Sequence, residues 1–124
     1  MSEMRQFDTG ATRDGEGDKY DYEGFLCPRV LEAYAAYMHK HRRQADGQLR
    51  ASDNWQKGIP RPVYIKSLWR HFHQMWKLHR GLPAFDEKGN PVTLVEAACA
   101  ILFNVMGYLH EFLKEREQSP AIER

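Results

Sequence analysis

The sequence predicts an all-α fold, three main helices in a bundle preceded by an irregular N-terminal strap. Three observations carry this prediction. Apolar residues recur at helical spacing in three segments, start and stop signals bracket those segments, and no strand alternation of useful length occurs. At 124 residues the chain makes one domain, 1–124, large enough to bury a core. Residues 1–24 form the strap, 25–116 the helical core and 117–124 a polar tail.

The strap carries Gly10, Gly15, Gly17 and Gly24 among alternating charges, the composition of a coil that orders by packing on something else. Within it, Lys19-Tyr20-Asp21-Tyr22 either folds over a ligand or pins the segment down. The first helix starts near Pro28, since proline suits a first turn, and runs to about Arg43. His39, Lys40, His41, Arg42 and Arg43 crowd its last turn, where cations complement the carbonyl end of the dipole, and Asp46-Gly47 marks the exit.

The second helix begins after Pro60 and Pro62 and ends near Arg80, before Gly81 and Pro83. It carries two apolar stripes. Tyr64, Leu68, His71, Met75 and Leu78 share one; Ile65, Trp69, Phe72 and Trp76 form the other. A helix so covered has to be buried on two sides, which fits a bundle centre or a subunit interface and leads to an expected homo-oligomer. The third helix runs from Leu94 to about Arg116, with Thr93 as N-cap and Glu96 at the reciprocal capping-box position.

Charge is unevenly spread. The net is −4 over residues 1–38, +8 over 39–80 and −3 over 81–124, and five of the six histidines lie in the basic middle. Such a patch favours phosphate-bearing partners, nucleic acid among them, or is a solvated surface balanced by its acidic flanks. No apolar stretch reaches the roughly 18 residues of a membrane span, and Met1-Ser2-Glu3-Met4-Arg5 lacks a signal-peptide run, so a cytoplasmic, membrane-free location is expected. Cys27 and Cys99 stand alone, which excludes a disulfide framework and a structural zinc site.

The densest candidate site is Ser52-Asp53-Asn54-Trp55-Gln56-Lys57-Gly58-Ile59-Pro60, a polar loop delivered onto the start of the second helix, where unpaired N–H groups favour an anion. Trp55 stacks on a base or plugs the loop against the core. Lys57 and Arg70 are candidate phosphate ligands. His71, on an otherwise apolar stripe, is a general-base candidate or a satisfied core histidine. On the third helix Glu96, Ala100, Asn104, Gly107 and Glu111 form one slowly rotating stripe. Glu96 or Glu111 would ligate Mg²⁺ and Asn104 orient a base or phosphate; otherwise Glu96 is a cap, Asn104 a buried amide and Gly107 a close helix crossing.

Several of these blocks together resemble a known family. Thr9-Gly10-Ala11-Thr12-Arg13-Asp14, Lys19-x-Asp21-Tyr22-Glu23-Gly24-Phe25, Asp53-Asn54-Trp55-Gln56-Lys57-Gly58-Ile59-Pro60, Arg70-His71 and the Glu96…Asn104 helix are similar to the small phage and prophage proteins called dATP/dGTP diphosphohydrolase N-terminal-domain-like. The resemblance spans about Phe7 to Leu113. It implies an all-α nucleotide pyrophosphohydrolase that is oligomeric and uses Mg²⁺ to cleave a nucleoside triphosphate to monophosphate and pyrophosphate. Asn54, Trp55, Lys57, Arg70, His71, Glu96 and Asn104 would then line the site. The paired Glu-x-x-Glu and Glu-x-x-Asp metal motifs of the classical all-α enzymes do not occur, and no carboxylate stands between Val63 and Arg80.

The function expected is Mg²⁺-dependent hydrolysis of a purine deoxynucleoside triphosphate between its α and β phosphates. In that scheme Lys57 and Arg70 hold phosphate, and Trp55, Asn54 and Asn104 hold the base. Glu96 with Asp21 or Asp53 holds the metal, and His71 or Glu96 activates water. The alternative is a module that binds or sequesters a nucleotide, or contacts nucleic acid or a host protein, without chemistry.

Overall fold

The computed structural model describes residues 4–119. The end of the expected polar tail, residues 120–124, lies outside them. The chain divides into two compact units, Met1–Leu31 and Glu32–Arg124.

In the first unit the expected coil contains a small hairpin, β1 (Met4–Gln6) paired antiparallel with β2 (Thr12–Asp14). Strands of three residues are too short for alternation to be legible in sequence. The turn is what makes them: Gly10 sits at φ 88°, a conformation that favours glycine, and the Phe7 carbonyl accepts its N–H at 2.8 Å. The Arg5 guanidinium bonds the Asp14 carbonyl at 3.1 Å and pairs with Glu16 at 3.0 Å. A one-turn helix, α1 (Tyr22–Phe25), follows, capped by Asp21, whose carboxylate accepts from the Gly24 N–H at 2.8 Å.

α2 (Pro28–Lys40) starts at the expected proline but stops three residues early. Residues 41–50 leave the helix because the Asp46-Gly47 signal folds them into a second hairpin. Gly47 sits at φ 84°, Gln44 N–H donates to the Gln48 carbonyl at 2.8 Å, and Arg43 bridges Leu49. A 3₁₀ turn over Asn54–Lys57 leads to α3 (Arg61–His79), with Pro62 in its first turn. The linker holds a third such hairpin, in which Asp86 accepts from the backbone of Lys88 and Asn90, both at 2.9 Å. The last helix is α4 (Leu94–Gln118).

The second unit is built on the α3–α4 helix pair. Tyr64 of α3 is 1% exposed, and on α4 Ala97, Ala100, Asn104, Gly107 and Glu111 are buried. Gly107 is the crossing point: a Cβ there would run into the Tyr64 ring, so only glycine lets the ring lie against the helix. Phe103 meets Tyr64 edge to face at 5.8 Å. The first apolar stripe of α3 is therefore packed as expected, with Leu68, Met75 and Leu78 half-buried, while the second stays largely uncovered. The Thr93–Glu96 capping box forms in both directions. Cys99 is buried, and burial pushes its thiol up, as suits a packing residue. Among the described residues no helix is long and apolar enough to cross a membrane.

Candidate functional site

The hairpin after α2 determines the site. Once Arg43 pairs with Leu49, the neighbours Arg42 and Arg50 are opposite each other. The Arg50 N–H donates to the Arg42 carbonyl at 2.8 Å, and Arg42 Nε donates back to the Arg50 carbonyl at 2.8 Å. Neither guanidinium has a carboxylate partner among the described residues. Both line a cavity of about 520 Å³, well within the about 300–1,000 Å³ of small-molecule sites.

Other walls come from α2, α3, α4 and the 3₁₀ turn. Tyr37 and His41 approach from α2 and its exit, their rings 4.4 Å apart. Ser67 and His71 are contributed by α3, Phe103 and Asn104 by α4, Asn54 and Trp55 by the turn. The lining includes two arginines and three histidines but no aspartate or glutamate. A cationic wall without carboxylates favours anions.

Trp55 serves as plug and wall at once. Its ring lies edge-on to His110 at 4.9 Å and to Phe103 at 6.3 Å, which pins the loop to α4, and the half-buried side chain still lines the cavity. Asn104, 5% exposed, does not bond across the bundle. Its Nδ2 donates to Ala100 O one turn back at 2.7 Å, which leaves Oδ1 as an acceptor without a hydrogen bond among the described residues.

His71 is held in one tautomer. Gln74 Nε2 donates to the Phe85 carbonyl at 3.4 Å, which turns Gln74 Oε1 toward His71 Nδ1 at 2.8 Å. An amide oxygen only accepts, so Nδ1 donates, and in the neutral imidazole Nε2 is the nitrogen with the free lone pair. Its neighbour His41 has its pKa lowered, first by burial and then by the charge of Lys40; Arg50 and His71 add to this. Mild acid therefore charges His41 later than it would a free imidazole.

No family model, curated protein or solved structure matches the chain.

The cavity brings together four of the residues singled out in the sequence, Asn54, Trp55, His71 and Asn104. Lys57 and Arg70 are exposed and do not line it: Arg70 precedes His71 on α3 and so points about 100° away. Asp53 is exposed at the head of the 3₁₀ turn, and Asp21 caps α1 within the first unit. Glu96 is occupied: Oε1 accepts from Thr93 N at 3.0 Å and Oγ1 at 3.1 Å, while Oε2 accepts from Lys40 Nζ at 3.0 Å. The Thr93 backbone and the Lys40 ammonium hold its pKa below the usual carboxylate value. Among the described residues no group of three His, Cys, Asp or Glu is placed to hold a metal ion.

Arg42 and Arg50 are the residues that sequence reading missed: Arg42 stands among the charges assigned to a helix end, and Arg50 falls in the connection beyond it. A signal existed: Arg-Arg-Gln-Ala-Asp-Gly-Gln-Leu-Arg is a turn with cations on both limbs, and pairing the limbs makes Arg42 and Arg50 neighbours.

Proposed function

We propose that the Glu32–Arg124 unit binds a deoxynucleotide in this cavity, with Arg42 and Arg50 on its phosphates and Trp55 and Phe103 against its base. One observation carries the reading: an aromatic wall and a pair of arginines without acidic partners line the same cavity, from which carboxylates are absent. Guanidinium forks match phosphate oxygens in pairs, and an aromatic face accepts any base. Asn104, fixed as an acceptor, favours a base edge that presents an N–H.

Cleavage between the α and β phosphates is the second reading. The His71 Nε2 lone pair, oriented through Gln74, favours it, because a base of that kind accepts a proton from water. Non-catalytic sequestration of a nucleotide needs no such base.

Titration calorimetry with the four deoxynucleoside triphosphates and their monophosphates tests binding. Arg42→Ala with Arg50→Ala is expected to weaken affinity by at least about 100-fold and to flatten its salt dependence, since charge-assisted pairs contribute about 1.5–3 kcal/mol each. Affinity unchanged in that double variant would overturn the site. Chromatography of the nucleotide after incubation with Mg²⁺ or Mn²⁺ separates the readings. Monophosphate with pyrophosphate supports hydrolysis, and intact nucleotide supports the binding module.

A further inference from the structure

We infer that the outward row of α3 binds single-stranded nucleic acid, by phosphate contacts and base stacking, at a surface separate from the cavity. The inference is independent of the nucleotide reading. By sequence the basic middle of the chain is one patch, and folding divides it. Arg42 and Arg50 line the cavity, whereas Lys66, Arg70, His73, Lys77 and Arg80 do not.

Those five follow one another at intervals of four, three, four and three residues, with Arg80 at the C-cap of α3. They therefore fall within an arc of about 80° and run about 21 Å along the axis. Ser67 and His71, which face the cavity, lie about 120° to one side of the row. Trp69 and Trp76 lie about 70° to the other side and are 67% and 53% exposed. A line of cations thus runs beside a line of indole rings, turned away from the cavity.

Charge complementarity argues for the occupant. α3 holds no aspartate or glutamate. Among the described residues Arg5, Lys40, Arg61 and Lys114 each pair with a carboxylate, and Lys66, Arg70, Lys77 and Arg80 do not. Four such charges in a row match a polymer of phosphates. The tryptophans select its form. An indole face stacks on a base that is free of its neighbours, as in a single strand, whereas a duplex keeps its base faces covered. Seven residues separate the two rings, about 10.5 Å along the axis, the length of about three nucleotides at about 3.4 Å each. Both rings are held before anything binds: Trp69 lies 6.2 Å from Phe72, Trp76 is edge-on to His73 at 6.0 Å, and the Arg80 guanidinium is 5.8 Å from the Trp76 centroid. Side chains already ordered lose less entropy on binding. Stacking and phosphate contacts carry little sequence information, so the preference is for strandedness and not for base order.

Fluorescence anisotropy of a labelled strand of about twelve thymidylates, titrated with the full chain, tests this. Four phosphate contacts give a slope of log affinity against log salt of about −2.8, so binding should be about 50-fold weaker at 200 mM than at 50 mM salt. Lys66→Gln with Arg70→Gln should halve the slope. Trp69→Ala and Trp76→Ala, each on an exposed position, should weaken binding at least about fivefold with the slope and the far-ultraviolet helix signal retained. A duplex of the same length should bind more weakly and ignore both tryptophan substitutions. Arg42→Ala with Arg50→Ala should leave strand affinity within about threefold. Loss of strand binding in that variant would place the strand in the cavity and overturn the inference. It would equally be overturned by a duplex bound as tightly as the strand, by strand affinity that ignores Trp69 and Trp76, or by no strand binding at 50 mM salt, whether or not phosphatidylserine vesicles are bound instead.

Discussion

Replacing Gly107 with alanine sets two known effects against each other at one atom. Alanine is the better helix former, and in an exposed helix the change would stabilise by about 0.8–1 kcal/mol. Here the added Cβ falls on Cε1, Cζ and Oη of Tyr64, well inside the about 3.5–4.0 Å at which carbon atoms rest. Tyr64 is 1% exposed and its ring also abuts Phe103, so it has no open side to move to, and α4 has to shift instead. Overpacking of this kind costs about 1–3 kcal/mol, and with the ring confined the upper end applies. The net expectation is destabilisation by about 1–2 kcal/mol, a fall in Tm of about 4–15 °C for a unit of this size. Thermal unfolding followed by circular dichroism measures it, at fixed protein concentration. Tyr64→Phe keeps the ring and should keep the penalty; Tyr64→Ala should abolish it, giving a coupling energy of the same size. A Gly107→Ala protein as stable as the parent, or more so, would refute the steric account and leave propensity as the ruling term.

The remaining predictions concern the cap, the acid response and His71. Thr93→Ala should cost about 0.5–2 kcal/mol in urea unfolding through loss of the capping box, and Thr93→Ser should restore most of it. Acidification should destabilise in two stages. His41 has a folded pKa below 6.5, so the unfolded chain binds its proton first and stability falls as pH drops below about 6.5. Glu96 has a folded pKa below 4.5, so its contribution is complete above that value and is lost as pH falls further; Tm against pH should show both steps, with Glu96→Gln reducing the second, to which Asp86 also contributes. Gln74→Leu should free the His71 ring without touching the arginines. Nucleotide affinity should stay within about threefold, while any turnover falls; unaltered turnover would show that the tautomer does not matter.

Much of the helical frame was legible in the sequence because its determinants are local. Pro28, Pro62 and Gly81 bracket helices through the backbone conformations they permit, and Thr93 with Glu96 writes a cap in four residues. Gly107 on an inward stripe announced a close crossing, and the double stripe of α3 announced more apolar surface than one partner helix covers. The three-residue strands of the first unit escaped because a turn, not a pattern, makes them. The cavity was legible only in part. Periodicity says that His71 and Asn104 face inward, yet not that they face the same space as Trp55, since that depends on how far α3 and α4 are rotated against each other at the Gly107–Tyr64 crossing. Arg42 and Arg50 meet through the register of a hairpin, and Arg70 misses the cavity by one residue's rotation. What the sequence by itself determined was where helices begin, end and carry apolar faces, because those depend on neighbours within about four residues. Which polar groups share a cavity, and that Glu96 bonds Thr93 and Lys40, was decided by tertiary structure, since charge and hydrogen bonding act between groups that only packing brings within reach.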